Sequence, residues 1–164
     1  MAKQIALRPI TPEDRDSLYR VYASTRTAEL AQVDWDEAHK SAFLRMQFDA
    51  QHQYYAENYS RAQFQIVLLD GEPIGRLYVD WRAAEIRIVD IALLPEHCGQ
   101  GIGSHLLLEI LAEGQARGVP VTIHVERFNP ALHLYERLGF CPVEDKGVYL
   151  LMEWDHHAGS IAEQ

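Results

Sequence analysis

A glycine-rich stretch in the middle of the chain constrains the fold most strongly. An apolar, strand-like segment ends there and an amphipathic helical pattern begins, over the sequence Leu93-Leu-Pro-Glu-His-Cys-Gly-Gln-Gly-Ile-Gly-Ser104. Glycines allow neighbouring backbone N–H groups to point to the same side, and a helix N-terminus adds a partial positive charge. The stretch therefore predicts a site for a phosphate or pyrophosphate where a strand passes into a helix.

The spacing of the glycines excludes two common nucleotide sites. A P-loop requires Gly-Lys-Ser/Thr at the start of the helix, and Gly103-Ser104 has no lysine between its two residues. A dinucleotide site requires Gly-x-Gly-x-x-Gly, whereas the glycines at 99, 101 and 103 are spaced by two throughout. The stretch therefore predicts a site for a different phosphate-bearing ligand.

The remaining sequence predicts a mixed sheet with helices. Asp70-Gly71 between two apolar runs indicates a hairpin, and Thr11-Pro12 indicates a helix start. Helices are expected near 12–31, 36–59, 101–118 and 129–138, and strands from residue 5 and near 64–69, 74–81, 84–94, 121–126, 140–143 and 147–154. This order predicts an α/β (α+β) fold with a mostly antiparallel sheet, a single domain over residues 1–154, and a flexible tail over 155–164.

Composition excludes several classes of function. Fifteen basic and twenty-four acidic residues give a net charge of −9, which argues against a nucleic-acid partner. No apolar run is long enough for a membrane span, and the N-terminus lacks a secretory signal pattern, so a cytoplasmic protein is expected. Cys98 and Cys141 belong to no Cys-x-x-Cys pair, and the eight histidines lack metal-ligand spacing, so we expect free thiols and no metal.

The glycine stretch closely resembles the cofactor-binding motif of the GNAT superfamily of N-acetyltransferases, Arg/Gln-x-x-Gly-x-Gly/Ala. The resemblance extends to the preceding strand, which ends at Glu96, and to a later motif, Asn129-Pro-Ala-Leu-His-Leu-Tyr-Glu-Arg-Leu-Gly-Phe140. It implies a sheet of about seven strands and about four helices, with a splay between the fourth and fifth strands. It also implies acetyl-CoA as acyl donor and an amine acceptor that is a small molecule, an amino acid or a peptide. Homodimers are common in the family, and the sequence leaves the oligomeric state open.

The resemblance also implies which residues bind the cofactor. Leu93 and Leu94 would act through their main chain beside the pantetheine arm, and Asn129 would bond that arm as well as cap its helix. The pyrophosphate would be held by Cys98, Gly99, Gln100, Gly101, Ile102, Gly103 and Ser104. Cys98 departs from the family pattern, because the usual Arg or Gln is missing at this first motif position. Backbone donors remain, so weakened cofactor affinity is expected rather than lost binding.

Three residues are candidates for proton transfer. By resemblance Tyr135 is the general acid for the leaving thiolate; packing in the stripe Leu132, Tyr135 and Leu138 is the alternative. Asp90 interrupts an otherwise apolar strand, and a buried charge requires a reason. It would take the amine proton or bind a cationic acceptor, and the plain alternatives are a salt bridge to Arg87 or a carboxylate that faces a turn. Glu85 is the second candidate base, and His124 is either a proton relay or structural.

The acceptor site and the activity leave further alternatives open. In the resembling family the acceptor lies between the first helices and the last strands, which here offer Trp35, Arg45, Tyr54, Tyr55, Tyr59 and Tyr149. Packing is the alternative for each. The leading hypothesis is acetyl transfer to a primary amine by direct attack in a ternary complex. A non-catalytic acyl-CoA sensor and a transfer of longer acyl groups or to a hydroxyl are the competing hypotheses.

Overall fold

A computed structural model of the protein describes residues 3–155. Within this range the strands are β1 Ile5–Pro9, β2 Gln63–Leu69, β3 Glu72–Trp81, β4 Ile86–Leu93, β5 Val121–Glu126, β6 Cys141–Lys146 and β7 Tyr149–Trp154. The α-helices are α1 Arg15–Ser24, α2 Thr27–Leu30, α3 Glu37–Asn58, α4 Ile102–Arg117 and α5 Leu132–Arg137. Apart from Asp155, the predicted tail lies outside the described residues.

The strands form one seven-stranded sheet in the order β1-β2-β3-β4-β5-β7-β6. The pairs β1/β2, β5/β7 and β6/β7 are antiparallel, whereas β4 and β5 are parallel. The parallel pairing covers Ile86 with Val121, Arg87 with Thr122 and Ile88 with Ile123. The mixed, mostly antiparallel sheet is therefore as predicted, and β4 and β5 part after these three pairs.

The chain divides into two compact units, and the first comprises Met1–Leu77 with Ile91–Cys98. Its helices bury a cluster of Leu18, Tyr22 and Phe48. The helix predicted for 12–31 is instead a 3-10 turn followed by α1 and the short α2. The interruption follows α1, where Ser24 Oγ donates to the Val21 carbonyl at 2.7 Å and Thr25 Oγ1 donates to the Tyr22 carbonyl at 2.6 Å. Such side-chain bonds compete with the helical backbone pattern.

The second unit comprises Tyr78–Asp90 with Gly99–Gln164. Helix α4 lies close to the strands because Gly114 has no side chain: a Cβ there would be 3.0 Å from Val121 Cγ2 and 3.2 Å from the Trp154 ring. Helix α5 begins at Leu132, later than predicted, and Asn129 Oδ1 accepts the Ala131 N–H at 2.9 Å just before it. Asn129 thus stabilises the turn that leads into the helix, but it is not the N-cap of the helix.

Side chains of β4 and β5 in this second unit alternate between two faces. Ile86, Ile88, Val121 and Ile123 are buried on the face that packs against α4, which we call the helical face. On the opposite side, which we call the polar face, Arg87 contacts Thr122, His124 and Glu85, the residue just before β4, and Thr122 also contacts Glu85. The alternation places Asp90 with Ile86 and Ile88 on the helical face.

Candidate active site

The glycine turn, residues 99–104, begins helix α4. Gly99 and Gly101 have φ angles of +75° and +83°, in the left-handed region where side chains are strained. The first helical bond runs from the His105 N–H to the Gly101 carbonyl, so the amides of Ile102, Gly103 and Ser104 precede the helical ladder. A Cβ added at Gly99 or Gly101 would meet no described atom within 4 Å. The turn therefore leaves three backbone N–H donors outside the helical ladder, an arrangement that can bind a phosphate.

Side chains of the turn itself contribute less than its backbone. The Ile102 side chain is buried, whereas Gln100 is exposed and Ser104 is partly exposed. Asn129 is exposed, and its side chain holds the Ala131 N–H. The individual cofactor roles of these residues stay predictions that rest on the resemblance.

The segment that precedes the turn belongs to the first unit. Cys98 is exposed, and its Sγ lies 3.7 Å from the Leu93 carbonyl oxygen and 3.6 Å from that of Leu94. The Leu94 N–H donates to the Ile74 carbonyl at 2.8 Å, and the Leu94 carbonyl accepts from the His97 N–H at 2.9 Å. Leu94 therefore already uses its main chain within this unit, and the predicted roles of Leu93 and Leu94 toward a pantetheine arm stay predictions.

A glycine in β3 permits close packing against this same segment. A Cβ at Gly75 would lie 2.4 Å from the Ala92 carbonyl oxygen and 2.7 Å from Leu93 Cδ2. These distances are shorter than any tolerated contact, so β3 can approach Ala92 and Leu93 only because residue 75 has no side chain. Sequence reasoning missed this position, since a glycine within a strand signals close approach without naming the neighbour.

Tyr135 and Asp90 come together in the second unit. Tyr135 lies in α5, is 5% exposed, and packs edge-on against Phe140 with ring centroids 5.7 Å apart. Burial, together with the negative charge of Asp90, raises the pKa of the Tyr135 phenol far above its usual value. The phenol is therefore protonated at every physiological pH. The predicted acid and one predicted base thus interact.

Glu85, the other predicted base, is held by hydrogen bonds on the polar face. Its Oε1 accepts from Arg82 Nη1 at 2.8 Å and from Arg87 Nη2 at 3.2 Å. Its Oε2 accepts from Thr122 Oγ1 at 3.3 Å. Both oxygens are already occupied by donors, which suits Glu85 to positioning Arg87 better than to accepting a proton.

His124 also belongs to the polar face. Arg87 Nη1 lies 3.4 Å from His124 Nδ1, and Arg87 Nε donates to Thr122 Oγ1 at 2.7 Å. Burial first, then the positive charges of Arg87 and Lys146, lower the pKa of His124. Sequence reasoning noted His124 but missed its partners. The sequence shows polar residues alternating with apolar ones in both strands. It does not show the strand register that brings these polar residues together.

The predicted acceptor aromatics divide between the two units. In the first unit Trp35 stacks on His39 at 4.1 Å, and Arg45 lies over the Tyr19 ring at 3.7 Å. The rings of Tyr54, Tyr55 and Tyr59 lie 6.1–6.5 Å from one another. In the second unit Tyr149 is 44% exposed. These contacts account for packing, and an acceptor role for any of them stays a prediction.

Membrane spans and metal-ligand clusters are both absent from residues 3–155. No helix in that range is both long and apolar enough to cross a bilayer. No three His, Cys, Asp or Glu side chains in the same range gather as a metal-ligand set. The expectation that the protein uses no metal stays a prediction.

With this geometry established, comparison identifies the family. Residues 19–140 match the family model described as the acetyltransferase (GNAT) family. This match spans well over half of the chain, so the protein belongs to the GNAT acetyltransferase family. The search of curated protein sequences finds no match.

Solved structures share the fold over almost the whole chain. The PaiA N-acetyltransferase from Thermoplasma acidophilum, in complex with coenzyme A, is 21% identical with a TM-score of 0.70, covering 93% of this chain and 99% of its own. An acetyltransferase from Thermus thermophilus is 25% identical with a TM-score of 0.65, covering 93% and 97%. The ribosomal-protein-S18-alanine N-acetyltransferase from Escherichia coli is 19% identical with a TM-score of 0.59, covering 93% and 94%.

Proposed function

We propose that the protein transfers the acetyl group of acetyl-CoA to a primary amine by direct attack in a ternary complex. The observation that carries this proposal is the glycine turn. Its amides precede the first helical bond of α4, and Gly99 and Gly101 adopt the left-handed backbone conformation that side chains disfavour. Family membership supports acetyl-CoA as the donor, because the matching family is one of acetyltransferases.

Backbone donors of the turn would hold the pyrophosphate, and Asn129 would hold the arm that follows it. Bound acetyl-CoA supplies an acetyl thioester, whose carbonyl carbon reacts with a neutral amine. In the transfer, the bond between nitrogen and the acetyl carbon forms while the bond between that carbon and sulfur breaks. The nitrogen has to lose two protons, one from the ammonium before attack and one as the amide forms, while the sulfur gains one, so one proton is released to solvent overall.

Asp90 is the better candidate for removing the ammonium proton. The oxygens of Glu85 are occupied by arginine and threonine donors on the polar face. The ground for preferring Asp90 is its position on the helical face, where its charge acts on Tyr135, the proposed acid. A carboxylate oxygen of Asp90 takes the proton, directly or through a water molecule.

The charge of Asp90 links this step to the next one. While Asp90 is ionised, its charge and the burial of Tyr135 together keep the proton on Tyr135 Oη. Once Asp90 has taken a proton, its charge is gone and only burial still opposes ionisation of the phenol. Tyr135 thus becomes a better acid for the leaving sulfur after the amine has been deprotonated, which orders the two proton transfers.

Free-thiol release from acetyl-CoA, measured across a panel of primary amines, tests the proposal. The panel contains alkyl amines, amino-acid amides and short peptides, and coenzyme A binding is measured separately by calorimetry. Release that depends on an amine supports an N-acetyltransferase. Binding without release for any amine would overturn the proposal and favour an acyl-CoA sensor, for which the Cys98 departure from the family motif is the supporting observation.

A further inference from the structure

Helix α5 ends in a cap that includes Tyr135 itself. The Phe140 N–H donates to the Tyr135 carbonyl at 3.0 Å, and the Gly139 N–H donates to the Glu136 carbonyl at 3.1 Å. Gly139 has a φ angle of +103°, in the left-handed region that favours glycine. Two such bonds around a left-handed glycine form a Schellman motif, in which Tyr135 is the third residue from the end of the helix. The cap therefore holds the backbone of Tyr135 directly.

The side chain of Phe140 adds a second contact to the same residue. In a Schellman motif the residue after the glycine often packs against the side chain of the third residue from the helix end. Phe140 is buried, and its ring meets the Tyr135 ring edge-on with the centroids 5.7 Å apart. Within residues 3–155 the Tyr135 hydroxyl has no hydrogen-bond partner. The direction of the phenol therefore depends on packing, to which the Phe140 ring contributes.

Trp154 connects this cap to helix α4. A Cβ at Gly139 would lie 3.2 Å from Trp154 Cδ1, and a Cβ at Gly114, within α4, would lie 3.2 Å from Trp154 Cζ3. The indole of Trp154 therefore lies against both the cap of α5 and the side of α4. Helix α4 begins with the glycine turn, which is the proposed phosphate site. The proposed acid and the proposed phosphate site are thus joined by close packing within the second unit.

We propose that Phe140 is a positioning residue for proton transfer to the leaving sulfur. In that step the bond between carbon and sulfur breaks with its electron pair on sulfur, and the sulfur takes the proton from Tyr135 Oη. One of the protons that the amine loses restores the phenol. The cap holds the Tyr135 backbone, and the Phe140 ring limits the Tyr135 side chain to one rotamer. The inference rests on the proposed function, because it concerns the acid of the same reaction.

Matched substitutions at two buried phenylalanines test the proposal. Phe140→Leu removes the ring beside Tyr135 and keeps the backbone cap. Phe48→Leu is the control, because Phe48 is also buried and meets the Tyr19 ring edge-on at 5.8 Å in the first unit. Since a misplacement of about 1 Å can cost about 100-fold in rate, we expect Phe140→Leu to lower kcat about tenfold without changing the KM for acetyl-CoA. Phe48→Leu should leave kcat within about twofold of the wild-type value.

The Tyr135→Phe background separates positioning from structural damage. Because Phe140 acts through the Tyr135 hydroxyl, adding Phe140→Leu to Tyr135→Phe should change kcat by less than about twofold. An equal loss of kcat in both backgrounds would make Phe140 merely structural, and a wild-type kcat in Phe140→Leu would remove its role. Either result overturns the inference and leaves the proposed function standing, provided that the wild type releases thiol with an amine. A wild type that releases no thiol with any amine would defeat both.

A measurement without substrate tests the rotamer. Three-bond NMR couplings from the backbone nitrogen and the carbonyl carbon of Tyr135 to its Cγ report the χ1 angle. The wild type should show the couplings of a single staggered rotamer, and Phe140→Leu should show averaged values. Averaged couplings in the wild type would overturn the inference even if Phe140→Leu fails to fold.

Discussion

The carboxylate of Asp90 acts electrostatically on the buried phenol of Tyr135, and its charge adds to burial in raising the pKa of that phenol. The phenol keeps its proton while Asp90 is charged, and it gives up that proton more easily once Asp90 is neutral. The pair therefore gives the proposed reaction an order of proton transfers.

Replacing Tyr135 by phenylalanine should reduce turnover and leave cofactor binding nearly intact. The change removes one hydroxyl from a ring that already packs on Phe140, so the fold should persist. We expect kcat to fall about 100-fold, which is the lower end for loss of a general acid. Steady-state kinetics with varied acetyl-CoA would check this. An unchanged kcat would exclude Tyr135 as the acid and leave packing as its role.

Replacing Asp90 by asparagine should change how the rate depends on pH. Without the carboxylate the ammonium must lose its proton to solvent, so the rate at pH 7 should fall about 100-fold. It should recover toward the wild-type rate as pH rises to the amine pKa of about 10. Glu85→Gln is the matched control, and its pH profile should keep the wild-type shape. A profile of Asp90→Asn that parallels the wild type would contradict Asp90 as base.

Gly101→Val should abolish coenzyme A binding, and Gly147→Val provides its control. The two glycines have φ angles of +83° and +85°, and a Cβ at either meets no described atom within 4 Å. Both variants therefore suffer similar backbone strain, about 1–2 kcal/mol. Only Gly101 belongs to the glycine turn, so only its side chain would fill the phosphate site. Calorimetric titration with coenzyme A distinguishes them, and equal affinity in both folded variants would contradict the assignment.

Asp14→Asn should destabilise the first unit in a pH-dependent way. Asp14 is 5% exposed, accepts from Arg8 at 2.7 and 2.8 Å and from the Thr11 N–H at 2.8 Å, and the Arg8 guanidinium lowers its pKa to about 2. Because the folded pKa lies below the unfolded one, the stabilisation is complete at neutral pH and is lost as pH falls from about 4 to about 2. We expect a loss of about 1–3 kcal/mol at pH 7.

Urea unfolding of wild type and Asp14→Asn at pH 7 and near pH 3 would measure this effect. The difference between the two proteins in free energy of unfolding should shrink at the lower pH. A difference that is the same at both pH values would show that the carboxylate charge contributes nothing.

Gly75→Ala should destabilise the protein more than Gly114→Ala. The new Cβ at residue 75 would lie 2.4 Å from a backbone oxygen, whereas at residue 114 the nearest atom would be a side-chain carbon at 3.0 Å. Alanine in helix α4 also gains about 1 kcal/mol of helix propensity over glycine, which offsets part of the crowding there. Thermal unfolding would rank the two variants, and the reverse order would show that β3 can move away from Ala92 at little cost.

Much of the fold could be predicted from the sequence, because its signals are local. Glycine and proline residues at turns and helix ends, together with the alternation of apolar residues, predicted the seven strands and the order of the main helices. The break between α1 and α2 could not be predicted in the same way. Thr25 and Ser24 are tolerated in helices, and only the structure shows that their hydroxyls bond the carbonyls of Tyr22 and Val21.

The candidate site could be predicted where the motif residues are contiguous, as in the glycine turn. It could be predicted less well where the register of two strands decides which residues are neighbours. Arg87 was considered as a partner for Asp90, yet these residues differ by three and so point to opposite faces of β4. The partners of Arg87 are Glu85, Thr122 and His124. Which residue of β5 lies beside Arg87 depends on a pairing that no local pattern encodes.

The parallel ladder between β4 and β5 is only three pairs long. A slip of one residue would cost few backbone bonds, but it would exchange the two sides of the strand. Arg87 would then enter the apolar layer beneath α4, and Ile88 would be placed among Glu85, Thr122 and His124. The register of these strands is thus favoured because a shift would bury a charged side chain and place an apolar one among polar groups. Mutations that make residues 87 and 88 alike in polarity would remove this preference and permit a register shift.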